Sequence, residues 1–177
     1  MDSKEGYWSM TEYFMKDGRR WYYDFIYNMM KTQPEEKWDA LMNNYFGNNE
    51  RALNYLKILR TNKVSNELKQ KGIFTIESEM DIGIVGYDAA MLVGQARKAY
   101  TTDIITEQDA IKVMKFAREL VVKHFSSWEE FGKSFILGFS FDQQHREAYY
   151  RQEIYHLYKQ VLENPNSPWN TINWPTT

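Results

Sequence analysis

The sequence predicts an all-α protein: a single-domain bundle of about seven or eight helices with an irregular C-terminal tail. Three observations predict it. Apolar residues recur at intervals of three and four along most of the chain. Helix-starting signals, a Ser, Thr or Asn followed by an acid, precede most of those runs. Only Ile73-Phe74-Thr75-Ile76 has strand character, and it is short and has no sequence partner, which predicts an extended connector. A chain of 177 residues suits one domain spanning 1–177. No repeat or low-complexity linker divides it.

The first helix is predicted from Ser9, with Glu12 at capping-box spacing, to about Lys31, with a break at Asp17-Gly18. Pro34 with Glu35 and Glu36 starts a second, because proline suits the first helical position and acids suit the first turn. Trp38, Leu41, Met42 and Tyr45 form its apolar face, and Gly47 ends it. Asn48-Asn49 caps a third helix with Leu53, Leu56 and Leu59, and a short one runs from Ser65 to Lys71. From Ser78 to about Tyr100 the chain is apolar on most sides, which marks a central helix. Its glycines, Gly83, Gly86 and Gly94, read as close helix–helix contacts. Thr106 and Asp109 cap the next helix.

The run Ser126 to Phe139 is the one about which the rest is predicted to pack. Ser127 is its N-cap with Glu130 three residues on, and Trp128, Phe131, Phe135 and Phe139 share one face. That face reads as a core seam more readily than as an aromatic ligand pocket. Gly132 and Gly138 weaken the helix locally, so close packing must hold it. A last helix carries Tyr149, Tyr150, Ile154, Leu157 and Tyr158 and stops at Asn164-Pro165. The tail, with Trp169 and Trp174, is predicted to fold back onto the body.

Gly86-Tyr87-Asp88, Ala96-Arg97 with Tyr100, Ile105-Thr106-Glu107 before Ala110, Ser126 to Gly132, Leu137-Gly138 and the closing Ser167-Pro168-Trp169 with Asn173-Trp174 occur in a characteristic order. In these, residues 76–175 resemble the bacterial domain of unknown function 1266 (DUF1266), the YbeU/YbeR-like proteins. Residues 1–75 match that family only in general helical character and read as N-terminal helices packing on the rest. Two positions depart from the pattern: Lys98 stands where an aromatic follows the arginine, and Phe139-Ser140 where an arginine follows Leu137-Gly138. The resemblance implies an intracellular protein without assigned chemistry, and small members as immunity proteins that neutralise toxins.

Candidate chemistry is sparse. Asp81 and Asp88 share a helix face, which admits paired carboxylates for acid–base or metal work. The alternative gives Asp81 to a helix start and Asp88 to a buried ion pair with a base such as Arg118 of the next helix, since Arg97, nine residues on, points to nearly the opposite face. Glu153 and His156 have the spacing of a di-metal bundle ligand pair, but with three histidines in all no second copy exists. His124 and His145 lack ligand partners at metal spacing, so neither a metal site nor a cofactor is predicted. No catalytic serine elbow or phosphate loop is present, and no catalytic residue is assigned.

The expected function is therefore a non-enzymatic protein binder, an immunity-type protein among the possibilities. The alternative is a small-molecule-binding or hydrolytic enzyme with a pocket around Asp88. Candidate binding residues are Asp88, Arg97, Tyr100, Trp128, Glu130, Tyr149, Tyr150 and Arg151. Tyr22, Tyr23 and Tyr27, and Tyr149 and Tyr150 with Arg146 and Arg151, give more aromatic and arginine surface than one core face needs. The expected partner is another protein, such as a toxin, and the sequence leaves the oligomeric state open. A net charge of −2 with no basic stripe argues against nucleic acid. No signal-peptide core or membrane-length apolar run is present, which predicts a soluble cytoplasmic protein off the membrane. Absence of cysteine agrees with a reducing compartment.

Overall fold

Ten α-helices, the last a single turn, follow one another in the computed structural model, which describes residues 3–144 and 148–175. They are α1 (Lys4–Lys16), α2 (Arg20–Thr32), α3 (Trp38–Phe46), α4 (Glu50–Arg60), α5 (Lys63–Gln70), α6 (Val85–Thr101), α7 (Glu107–His124), α8 (Trp128–Asp142), α9 (Ala148–Glu163) and α10 (Pro168–Thr171). The described residues contain no strand, and residues 73–76 are a connector with bends at Ile73, Thr75 and Ile76.

Two predicted helices are divided, each at a glycine with positive φ. Gly18, at φ +63°, separates α1 from α2, and a Cβ there would strike the Asp88 carboxylate. Gly83, at φ +67°, separates a 3-10 turn over Glu77–Ile82 from α6, so Asp81 lies before the central helix and pairs with Lys31 at 2.7 Å. The chain also enters α1 earlier than predicted. Ser3 accepts the Gly6 N–H at 3.1 Å, and Ser9 is internal because Tyr7 and Phe14 are buried on the same helix. Elsewhere the predicted caps form: Asn49 takes the Ala52 N–H at 3.1 Å, and Thr106 takes the Asp109 N–H at 3.2 Å.

Packing divides the apolar interior in two. One cluster joins α2, α4, α5, α8 and α9 through Tyr23, Ile26, Leu56, Leu68, Phe141 and Tyr155. The other joins α1, α6 and α7 through Tyr7, Phe14, Leu92, Ala96, Val113 and Ala117. Helix α6 packs against α1, α7 and α8, so it is central as its composition predicts.

The buried face of α8 is only in part its aromatic stripe. Ser134, Leu137, Gly138 and Phe141 are buried, and so is Phe139 of the stripe, while Trp128, Phe131 and Phe135 are only half-buried along the flank. Two serines hide the core face from a hydropathy reading, because each is satisfied internally. Ser134 Oγ accepts the Gly86 N–H at 2.9 Å and donates to the Gly83 carbonyl at 2.8 Å. Ser140 Oγ donates to the Ile136 carbonyl at 2.7 Å and lies 2.7 Å from the Tyr155 hydroxyl.

The connector before α6 is sutured to α8 by Glu79. Its carboxylate accepts from the backbone N–H groups of Thr75 and Ile76 and from Lys133 Nζ at 2.7 Å. Burial works upward on this carboxyl, but the Lys133 ammonium and the two amides prevail and hold it down at about 2. A depressed acid contributes stability above its unfolded value, and that contribution is lost as pH falls through the folded one. Glu79→Gln is therefore expected to lower stability by roughly 1–2 kcal/mol at neutral pH, allowing for solvent screening. Urea melts of both proteins should show that deficit constant from about pH 7 to 5 and shrinking toward pH 2. A deficit independent of pH would exclude the charge as its cause.

Candidate functional site

Asp88 is fully buried in the first turn of α6, and its partners come from the α1–α2 corner. The backbone N–H groups of Arg19 and Arg20 donate to its two oxygens at 3.0 Å each. Arg20 Nη1 adds a third bond at 3.0 Å, and the same guanidinium reaches the terminal carbonyls of α1 at Phe14, Met15 and Lys16. The pairing expected with a base such as Arg118 is thus replaced by one with Arg20, and Arg97 does not pair with Asp88, as its spacing predicts. The cause is the Gly18 turn, which brings a corner 68 residues away against α6. Burial pushes the Asp88 carboxyl above its ordinary range, with the two amides and Arg20 pulling back. Beside it, Asp142 at the end of α8 pairs with Arg19 and accepts from the Tyr87 hydroxyl at 2.7 Å. This polar knot lies where the two apolar clusters meet, and it ties α1, α2, α6 and α8 together.

Arg97 and Trp128, by contrast, do converge. They line an open cleft of about 400 Å³ between α6, α7 and the start of α8. The loop between α6 and α7 spans five residues, so the two helices run antiparallel. From α6 the cleft takes Ala90, Val93, Gly94 and Arg97, and from α7 Met114, Ala117, Arg118 and Val121. Each set recurs at helical spacing, so each is one face. Small residues make the floor and arginines from both helices stand at it, exposed. Gly94 is not a helix contact: a Cβ there would meet nothing within 4 Å, and it opens onto the cleft.

The tail forms one wall. Trp128 stacks on Trp169 at 6.1 Å, meets Trp174 edge-on at 4.9 Å and donates from Nε1 to the Ile172 carbonyl at 2.8 Å. Pro175 thereby reaches the cleft, and the tail folds back as its tryptophans predict. Gly132 is small because the Tyr158 and Trp169 rings press on it.

The other candidates are dispersed. Glu130 caps α8: its N–H bonds Ser127 Oγ at 3.1 Å, and its carboxylate accepts from the N–H and hydroxyl of Ser126, not from Ser127. Tyr100 is exposed at the end of α6. Tyr149 is the most exposed large aromatic of α9 and bonds the Glu153 carboxylate within its own helix. Tyr150 packs against Phe139 at 5.7 Å. Arg151 is buried and pairs with Glu67 of α5 at 3.3 Å, so it braces α9 and is no part of an outer face. Tyr23 is also internal and donates to the Met80 carbonyl at 2.7 Å, while Tyr22 and Tyr27 are half-buried. His145 and Arg146 lie outside the described residues. His124 Nδ1 lies 2.7 Å from the Leu120 carbonyl, and His156 is exposed. Among the described residues no group of three or more His, Asp or Glu side chains could hold a metal ion.

Reading the sequence missed the cleft as a whole, although a signal was there. Small residues followed by an arginine, Ala90-Gly94-Arg97 on one helix and Ala117-Arg118 on the next, leave a gap that no larger side chain fills. It also missed the exposed Trp21 and Tyr45, which flank an aromatic cluster with Tyr22, Phe25 and Phe46.

No curated protein and no solved structure matches this chain. No described helix is long and apolar enough to cross a membrane. The family described as "Protein of unknown function (DUF1266)" matches residues 1–174. That span takes in the N-terminal helices as well, so the corner that holds Asp88 lies within the matched region. The chain belongs to the DUF1266 family.

Proposed function

We propose that this protein is a non-enzymatic, cytoplasmic protein binder whose recognition surface is the cleft between α6 and α7, with an immunity-type role as the narrower form of that reading. The observation that supports it is the open apolar trough with Arg97 and Arg118 at its edge. Arginine with an aromatic anchor is the composition of interface hot spots, and such surfaces are apolar at the centre with a charged rim. The partner segment that fits carries apolar side chains for the Ala90, Val93 and Val121 floor, flanked by carboxylates for the arginines.

The test uses Gly94→Leu, which projects a side chain into the trough from a position where a Cβ meets nothing within 4 Å. A photo-crosslinking residue at Met114, introduced in the native host, should capture one discrete heterologous protein in the wild type. The adduct should disappear in Gly94→Leu and in Arg97→Glu. For the immunity reading, the captured protein should arrest growth when expressed alone, and co-expression of this chain should restore it. Absence of any adduct, or one indifferent to Gly94→Leu, defeats the cleft as the surface. A captured partner without toxicity defeats only the narrower form.

A further inference from the structure

The tail is built in two parts that are held very differently. Its base, α10, is fastened to the end of α9. Ser167 Oγ donates to the Val161 carbonyl at 2.6 Å, and Asn170 Nδ2 donates to the carbonyls of Leu162 and Asn164 at 2.8 Å each. Those bonds satisfy carbonyls that the end of a helix leaves without partners of its own. The Trp169 ring adds contacts with Tyr158 and Phe131. Beyond α10 the fastening stops. The Ile172 N–H closes the turn on the Pro168 carbonyl at 2.9 Å, and the Ile172 side chain is 57% exposed. Among the described residues no backbone hydrogen bond ties Asn173, Trp174 or Pro175 to the body.

What holds these last residues is Trp128. Its Nε1 donates to the Ile172 carbonyl at 2.8 Å, and its ring meets Trp174 edge-on at 4.9 Å. Trp128 is at the same time a wall of the α6–α7 cleft, and Pro175 is another. One side chain therefore serves both tail and cleft, and the tail cannot leave Trp128 without taking a wall from the cleft. One hydrogen bond and one ring pair, set against the freedom of four residues, give a docking constant on the order of ten, far below that of the whole fold.

We propose that residues 172–175 are a strap, hinged at Ile172, which opens and closes one side of the α6–α7 cleft without global unfolding, and that a partner seated in the cleft holds it shut. This rests on the reading of that cleft as the recognition surface. A partner in contact with Pro175 binds the docked strap better than the open one, and that difference shifts the equilibrium toward docking. By the same linkage, a variant that frees the strap loosens the partner.

Two measurements keep strap and cleft apart. In the purified full chain, hydrogen exchange of the Trp128 indole N–H reports docking directly. It should be slowed about tenfold relative to free tryptophan, and low urea should not speed it, whereas exchange of core amides such as that of Leu92 should quicken. Trp174→Ala should abolish the slowing and leave the resonances of α2, α4 and α5 in place. Pro175→Gly removes the wall but keeps the latch, so the slowing should remain. An indole proton that exchanges in step with the core amides, one unprotected in the wild type, or one still protected in Trp174→Ala overturns the proposal.

In the native host, the adduct formed from Met114 should fall at least about fivefold in both variants, a loss well within what one or two contacts contribute. Wild-type yield in Trp174→Ala overturns the strap and leaves the cleft reading standing. No adduct even in the wild type defeats the cleft reading and the strap's hold on a partner with it, whatever the indole exchange shows.

Discussion

Asp88→Asn is expected to cost about 3–5 kcal/mol of folding stability, read as a lowered urea midpoint, because it breaks a buried ion pair by removing one partner. The substitution preserves shape but not chemistry. An amide can accept one backbone N–H through its oxygen, but its own N–H₂ then faces the second amide and the Arg20 guanidinium. Arg20 is itself only 13% exposed and is bonded to three carbonyls at the end of α1, so it is held in place and little of its charge is met by solvent. The corner between α1 and α2 would lose the contact that fixes it against α6. Arg20→Gln should be costly for the same reason, and the double variant should recover part of the sum, giving a coupling energy of at least about 1 kcal/mol. An Asp88→Asn protein within about 0.5 kcal/mol of wild type would remove the structural role and return Asp88 to the list of chemically active groups.

How much of this was legible beforehand depends on distance along the chain. Local signals carried well: the caps at Asn49, Thr106 and Ser127 form where Asn, Thr and Ser precede an apolar run, because their partners lie three residues away. The Asp17-Gly18 break was equally local. The Asp88 partner was not, since a buried acid in an apolar helix announces that it needs a base but not which one. Arg151 shows the reverse error: at the surface of a sequence pattern it resembles a hot spot, while in the fold it is buried against Glu67. The burial of Ser134 and Ser140 was not legible either, because internal hydrogen bonds that hydropathy does not register take them in.

Glycines make the sharpest test of that distinction, because a single substitution on one helix is expected to change sign with position. Gly86→Ala should destabilise by roughly 3 kcal/mol, at the upper end of overpacking costs, or prevent folding. A Cβ at Gly86 would lie 2.7 Å from the Phe131 carbonyl oxygen and 2.9 Å from the Phe135 nitrogen, which are backbone atoms of α8 and cannot rotate away. Relief requires α6 and α8 to separate, which stretches the Gly86 N–H bond to Ser134 and opens the crossing where Gly138 receives the Tyr87 side chain. Gly94→Ala, two turns further along, meets nothing within 4 Å. It should instead gain about 1 kcal/mol, the helix propensity difference between the two residues. Chemical denaturation of the two variants side by side isolates packing, since propensity contributes equally to both. If both are stabilised, α6 and α8 do not cross at Gly86; if both are destabilised, Gly94 is a contact after all and the α6–α7 cleft is closed.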